Sequence, residues 1–442
     1  MSESTPYWLR NACIPAALMV ANQPTAQWSE ATDQSSSELL KVDLEITAGV
    51  ISSIAAAGML LGTESPSIDL NHGLVFPGFV DLHTHLDKGH IWERAPNPDG
   101  TFASAITTVQ ADAAKHWDAE DVYRRMEFGL KCSYAHGTTA IRTHLDAFGE
   151  QGDRSFAVFK QLQAEWRDRL ILQAVALVPL EYFLTDAGEK LADLVAAVDG
   201  VLGGVAYLHP NLDQQLDRIF TLAKERNLSL DFHVDETNNP DSNCLHQIAL
   251  TTLKHDYGNR VVCGHCCSLA VQDPAVAAAT IALVKQAEIG IVSLPMCNLY
   301  LQDRQSGRTP RWRGVTLLHE LKQAGVSVAL ASDNCRDPFH GFGDHDVLEV
   351  FSSSVKIAHL DRPFSDWCRA VTATPANLMN LPTVGQIGVG LPADLVLFKA
   401  RHYSELLSRS QHDRVVLRNG EPIDTSLPDY AELDDLLTKP ST

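Results

Sequence analysis

The chain has 442 residues, enough for more than one hydrophobic core, and its 45% hydrophobic and 20% charged residues are those of a globular protein, which excludes extended disorder and collagen-like repetition. A formal charge of −20 argues against nucleic-acid partners, which need a basic patch to displace phosphate counterions, and no apolar stretch approaches the ~20 residues of a membrane span. Nine cysteines, an odd number scattered from Cys13 to Cys368, fit reduced thiols in a cytosol better than a disulfide framework.

The apolar run that begins at Ile14 follows only Arg10 and the acidic Glu3, without the basic start of a signal peptide, so a cytoplasmic protein is expected. Val42, Leu44 and Ile46 then alternate with Lys41, Asp43 and Glu45, the pattern of a half-buried strand, and Gly49 turns the chain into "VISSI". From about residue 77 the pattern becomes short apolar runs separated by helical stretches. The runs are "LVFPGFVDLHTH", "TTAIRTHLD", "LILQAVALVP", "GVAYLHP", "LSLDFHVDE", "VVCGHCC", "IGIVSLP" and "VSVALASDN". The clearest helix runs from Asp118 to His136, with Asp118 as cap, Val122, Met126 and Leu130 on one face and Gly137 as terminator. Eight such units predict an α/β fold, a TIM-like (β/α)8 barrel over residues 77–382, although an open doubly wound sheet shares the pattern. Near the C-terminus, "ADLVLFK" and "RVVLR" read as strands and Asn419-Gly420 as a hairpin turn. Residues 1–76 and 383–442, both β-rich, are therefore expected to form one small β-sandwich built from the two termini.

In such a barrel the catalytic groups sit at the C-terminal ends of the strands. The first run ends in His83 and His85, which alternation places on the same face; the second ends in His144 and Asp146, the fourth in His209. The fifth ends in His233, Asp235 and Glu236, the sixth in His265, and the eighth in Asp333 and Asn334. Each histidine alone is more often a hydrogen-bonded core or surface residue. Together at matching strand ends they converge on one axis, supplying three or four ligands for a catalytic divalent ion with a position left for water. Cys263, Cys266 and Cys267 have no second pair at zinc-ligand spacing and read as small apolar side chains around a strand.

The ordered set "PGFVDLHTHLD", "RTHLD", "DFHVDE", "GHCC" and "ASDN", with "NLYLQDRQ", "RWRGVT" and the tail "GQIGVGLPADLVLF", resembles the amidohydrolase superfamily, and within it the cytosine deaminase branch. The resemblance covers nearly the whole chain. It implies that His83, His85, His233 and Asp333 bind one metal ion, Zn²⁺ or Fe²⁺, that Glu236 shuttles protons and that His265 orients and polarises the attacking water. The substrate it implies is a small, free, cytosine-like N-heterocycle that loses its exocyclic amine as ammonia. Members of the family are often multimeric, so a homo-oligomer is in keeping with it.

The lysine that bridges two metals in some members belongs at the end of the fourth strand, where this chain has "VAYLHP"; a single metal follows, and Lys88 is expected in a loop salt bridge. Cytosine deaminases read their base with a glutamine, an aspartate and a tryptophan at positions that here hold Leu180, Asn334 and Phe339. Losing a hydrogen-bonding group from a base-reading pocket changes discrimination by orders of magnitude, so a larger or less polar amino-heterocycle is also in play. Two rivals remain: hydrolysis on the same scaffold of N-substituted aminotriazines, which Glu236 disfavours, or of cyclic amides, which a single metal disfavours, and a non-catalytic ligand-binding protein. For His144 and His209, support of the site and plain packing both stay open.

Overall fold

Near the N-terminus the alternating residues pair as strands: β1 (Tyr7–Pro15) lies between β2 (Leu39–Thr47), antiparallel to it, and β4 (Ser67–Asp69), parallel to it, with β3 (Val50–Ala56) outside β2. In this computed structural model, which describes residues 5–20, 39–59, 65–410 and 413–437, Val42, Leu44 and Ile46 face inward as their alternation requires. Asp43 is buried as well, because the register of β1 shifts between Leu9 and Ala12 and the Asn11 amide donates to its carboxylate at 2.7 Å. β5 (Val75–Pro77) follows and leads into the barrel.

The eight apolar runs each become a strand: β6 (Phe79–Thr84), β7 (Thr138–Asp146), β8 (Ile171–Leu177), β9 (Leu202–Ala206), β10 (Leu230–Val234), β11 (Val261–His265), β12 (Gly290–Ser293) and β13 (Val328–Leu330). Every residue of β10 and β11 is buried, as parallel strands covered on both faces must be. Ladders join β6, β7 and β8, and parallel ladders join β9 through β13. Bridges at Val175–Val201 and Pro179–Val205 link β8 to β9, and a bridge at Thr84–Asp333 links β6 to the end of β13, so the sheet closes into a (β/α)8 barrel. That last seam is held by the Asp333 amide donating to the His83 carbonyl at 2.8 Å and by the Ser332 amide donating to Asp81 Oδ1 at 3.1 Å.

Between the strands lie α1 (Phe102–His116), α2 (Ala119–Ala135), α3 (Gly149–Trp166), α4 (Asp186–Ala196), α5 (Leu212–Glu225), α6 (Cys244–His255), α7 (Pro274–Gln286), α8 (Pro295–Leu301) and α9 (Leu318–Gln323). The carboxylate of Asp118 accepts the Asp121 amide at 2.9 Å, the cap its sequence position predicts for α2, and Gly137 stops that segment at a φ of +97°.

After α10 (Val347–Ala358) and α11 (Ala373–Leu378), the strands β14 (Leu395–Leu397), β15 (Val415–Arg418) and β16 (Glu421–Pro422) form an antiparallel sheet with β5. Asn419 and Gly420 carry positive φ values of 46° and 75°, the two-residue turn that suits a twisted hairpin. Leu9, Ile14, Val42 and Leu44 share one apolar core with Val75, Leu395 and Leu417, so strands from both ends of the chain sandwich a single interior. The molecule divides into two compact units: one up to Val80 with Ser133–Ala140 and Val347–Leu427, the other comprising Asp81–Cys132, Ile141–Asp346 and the segment from Pro428. Among the described residues, no helix is long and apolar enough to cross a membrane.

Gly203 sets how closely β9 approaches β10, because a Cβ there would lie 2.1 Å from the Asp231 carbonyl oxygen and 2.5 Å from Val175 Cγ1. Gly203→Ala is expected to destabilise the fold by about 1–3 kcal/mol through overpacking. A thermal melt with an unchanged midpoint would contradict this account of the glycine.

Candidate metal centre and active site

Strand alternation brings His83 and His85 to one face of β6, and barrel closure carries His233, from β10, and Asp333, just beyond β13, to the same point. His83 Nε2 and His233 Nε2 are 3.2 Å apart, and His233 Nε2 and His85 Nε2 3.4 Å apart. Asp333 Oδ1 lies 3.2 Å from His85 Nε2 and 3.6 Å from His83 Nε2. His265, from β11, completes the group: His83, His233, His265 and Asp333 each offer a ligand atom within 4.8 Å of the others. All five side chains are buried.

Burial is the largest cause holding His83, His85 and His233 well below the ordinary histidine range; neighbouring imidazoles add to it for His83 and His233, and Lys88 for His85. Neutral imidazoles keep the lone pairs that a metal needs. Burial also pushes the Asp333 carboxyl up to about 7 and the His265 imidazole down to about 3. His265 Nε2 and both Asp333 carboxylate oxygens are buried without a hydrogen bond, which fits a shared cation better than mutual hydrogen bonds. Three imidazoles and a carboxylate, with a fourth imidazole alongside, suit one divalent ion.

Glu236 follows this group on the loop after β10. Asn298, from α8, donates from Nδ2 to Glu236 Oε1 at 2.9 Å and lies 3.1 Å from His265 Nδ1, so one amide positions both side chains. Burial, then the nearby Asp333, pushes the Glu236 carboxyl well above the usual carboxylate range. Asp235 turns away: its carboxylate accepts Ser242 Oγ at 2.6 Å and the Cys244 and Leu245 amides at 3.0 Å, capping α6. Asn298 carried no role in the sequence reading, although it lies in the quoted "NLYLQDRQ" segment; nothing in a lone asparagine marks it before the fold brings α8 to the barrel mouth.

His85, His233, His265, Asp333 and Glu236 line a cavity of about 440 Å³. Its apolar wall comes from Phe102, Ile106 and Val109 on one face of α1 and from Leu177, Val205 and Phe339 around the barrel rim. Asn334 and Phe339 therefore face the cavity, whereas Leu180 lies behind the wall formed by Leu177, Val178 and Pro179, buried against Gly204. Lys88 makes a salt bridge to Asp146 Oδ1 at 2.7 Å, but within the cavity wall rather than on a surface loop, and its ammonium lies 5.3 Å from the Phe339 ring. His144 packs beneath the metal-type group, 3.8 Å from His83 between ring centres, and 4.0 Å from Asp231, which is itself ion-paired to Arg142 at 2.8 Å. His209 is exposed and accepts the Asn211 amide, apart from the site. Cys263, Cys266 and Cys267 are buried free thiols.

The chain, a closed (β/α)8 barrel with this histidine and aspartate group at its mouth, belongs to the amidohydrolase family, whose profile matches residues 67–152 and 118–423. The chain is accordingly a hydrolase of carbon–nitrogen bonds other than peptide bonds, of the deaminase type. It is 51% identical over 430 residues to a pterin deaminase from Rhizobium rhizogenes, covering 97% of this chain and 96% of that protein. It is 25% identical to N-isopropylammelide isopropyl amidohydrolase from a Pseudomonas species, over 82% of this chain and 89% of that protein. Its fold is shared with 5-methylcytosine deaminase from Klebsiella pneumoniae, at a TM-score of 0.80 and 23% identity, covering 96% of this chain and 98% of that one.

Asn298→Ala should cost roughly 10–100-fold in kcat at unchanged metal content, the usual penalty for losing an outer partner that orients reacting groups. Steady-state kinetics with metal analysis checks this, and wild-type turnover in the variant would remove Asn298 from the machinery.

Proposed function

We propose that the protein is a one-metal aminohydrolase that removes the exocyclic amino group of a pterin-like N-heterocycle as ammonia. The observation that carries this reading is the pairing of Glu236 with the group of His83, His85, His233 and Asp333 at a largely apolar cavity. His83, His85, His233 and Asp333 would hold the ion, Zn²⁺ or Fe²⁺, both of which imidazole and carboxylate accommodate. When bound, such an ion lowers the pKa of a coordinated water toward neutrality.

In this reading Asp333 accepts the proton of the attacking water, and His265, steadied through Nδ1 by Asn298, orients it. Glu236 gives its proton to the ring nitrogen beside the carbon under attack, takes up the proton released from the added hydroxyl as the ring carbonyl forms, and delivers it to the exocyclic nitrogen so that neutral ammonia leaves; the proton held by Asp333 then returns to Glu236 and resets the site. One water is consumed, the exocyclic C–N bond breaks and a ring carbonyl forms.

The substrate class extends the cytosine-like expectation to a two-ring heterocycle. Phe339, at one of the positions with which cytosine deaminases read their base, faces the cavity here, and the largely apolar walls suit a flat aromatic body. The 51% identical relative named a pterin deaminase supports the same choice. Lys88 with Asp146, and Asn334 held by Asp337 through a 2.7 Å hydrogen bond, supply polar contacts for the ring edge. The second reading, release of an alkylamine from an N-substituted aminotriazine, is favoured by the name of the Pseudomonas relative.

A screen of pterins, cytosines, aminotriazines and N-isopropylated aminotriazines for ammonia against alkylamine separates these readings. Ammonia from pterins is the expected outcome; alkylamine release without it overturns the proposal. Glu236→Gln should keep its metal and lose roughly 10²–10⁴ in turnover, and full activity in that variant would reassign the proton shuttle. His83→Ala should lose bound metal in elemental analysis, and a variant that keeps it would take His83 out of the ligand set.

A further inference from the structure

A second set of metal-type donors lies apart from the first. His90, on the loop after β6, Cys335, two residues past Asp333, and His345, at the far end of that same loop, each place one ligand atom within 4.8 Å of the other two, and all three are buried. His90 Nε2 and His345 Nε2 are 3.1 Å apart, against 3.2 and 3.4 Å for the imidazole pairs of the first group. Tetrahedral coordination with metal–nitrogen bonds of ~2.0–2.1 Å sets neighbouring donors roughly 3.3 Å apart, so both sets have the spacing of ligands around a cation.

An imidazole–imidazole hydrogen bond alone would account for the 3.1 Å distance, but not for the surroundings built around it. His90 and His345 both hold left-handed backbone, with φ of 62° and 54°, which a non-glycine residue keeps only where its neighbours enforce it. Gly129 on α2 leaves room for the His345 ring: a Cβ there would stand 3.0 Å from Nε2. The Phe128 ring meets His90 at 4.7 Å, Tyr430 stacks on Phe128 at 5.6 Å, and Leu433 and Leu436 pack against Phe128 and Cys132, so the chain's last described turns form an apolar cap. Burial keeps the His90 imidazole neutral, with His345 and two arginines adding to that effect. Zinc binding would displace the Cys335 thiol proton to solvent as the Zn–S bond forms.

We propose that His90, Cys335 and His345 form a second, structural zinc site, distinct from the catalytic group, with one coordination position left for water. The site ties together two loops that already touch, through the His90 amide to the Cys335 carbonyl at 3.2 Å and the Trp92 amide to the Arg336 carbonyl at 2.9 Å. One of these loops carries Asp333, Asn334 and Phe339, so the zinc would brace the cavity wall without touching substrate.

Cobalt substitution of the full-length protein tests this, because the four proposed catalytic ligands include no thiol. The cobalt-loaded wild type should show a near-ultraviolet thiolate-to-cobalt absorption band that disappears in Cys335→Ser and persists in Cys297→Ser, the thiol beside the catalytic group. Elemental analysis of zinc-loaded protein should find two ions per chain in the wild type and one in His345→Asn. Absence of the thiolate band in the cobalt-saturated wild type, which does not depend on any variant folding, overturns the proposal. Persistence of the band in Cys335→Ser overturns it as well.

Discussion

Three imidazole nitrogens and a carboxylate oxygen meet at distances of 3.2–3.6 Å in the buried mouth of the barrel. A neutral imidazole has one N–H and one lone pair, so mutual hydrogen bonds cannot serve every member of such a group. Leaving the donors unmatched away from water is costly, and protonating them would place like charges side by side in a region of low dielectric. A shared divalent cation satisfies all four at once. The rest of the site is arranged around that requirement: the seam between β6 and β13 brings Asp333 to His83, and the ion pair of Arg142 with Asp231 lies under the ring of His144, which in turn packs on His83.

Glu236 shows how neighbouring acids acquire different tasks. Asp235 spends its carboxylate on the amides at the start of α6 and on Ser242, which anchors the loop after β10. Glu236, one residue on, is left facing the cavity, where Asn298 holds it beside His265. Charge also separates them, since Asp235 sits at the positive end of a helix while Glu236 is buried near Asp333. A carboxyl that favours its protonated form beside such a group suits proton delivery, the role proposed for it.

The cavity lining combines polar groups, among them the metal-type ligands, Glu236 and Asn334, with aromatic and aliphatic side chains drawn from α1 and the barrel rim. Flat heterocycles likewise combine apolar faces with polar edges, so a few polar groups can set orientation. The salt bridge of Lys88 to Asp146 lies in the wall and keeps a buried ammonium paired where an isolated charge would be costly.

Much of the fold and of the candidate histidine and aspartate group was legible in the chain because both depend on local periodicity. Period-two alternation marks His83 and His85 as sharing a face, eight apolar runs mark eight strands, and polar residues at the strand ends mark the catalytic rim. Asp43, Asn298, Leu180 and the α1 wall were not legible, because each depends on partners far away in sequence: a bulge in β1, the placement of α8, the wall in front of Leu180, and the path of the helix that follows β6. The sequence by itself thus determined which residue types stand at the ends of which strands. Only tertiary structure decided that His83, His233 and Asp333 bring ligand atoms within 4.8 Å of one another, since closing the barrel is a long-range event that no local pattern encodes.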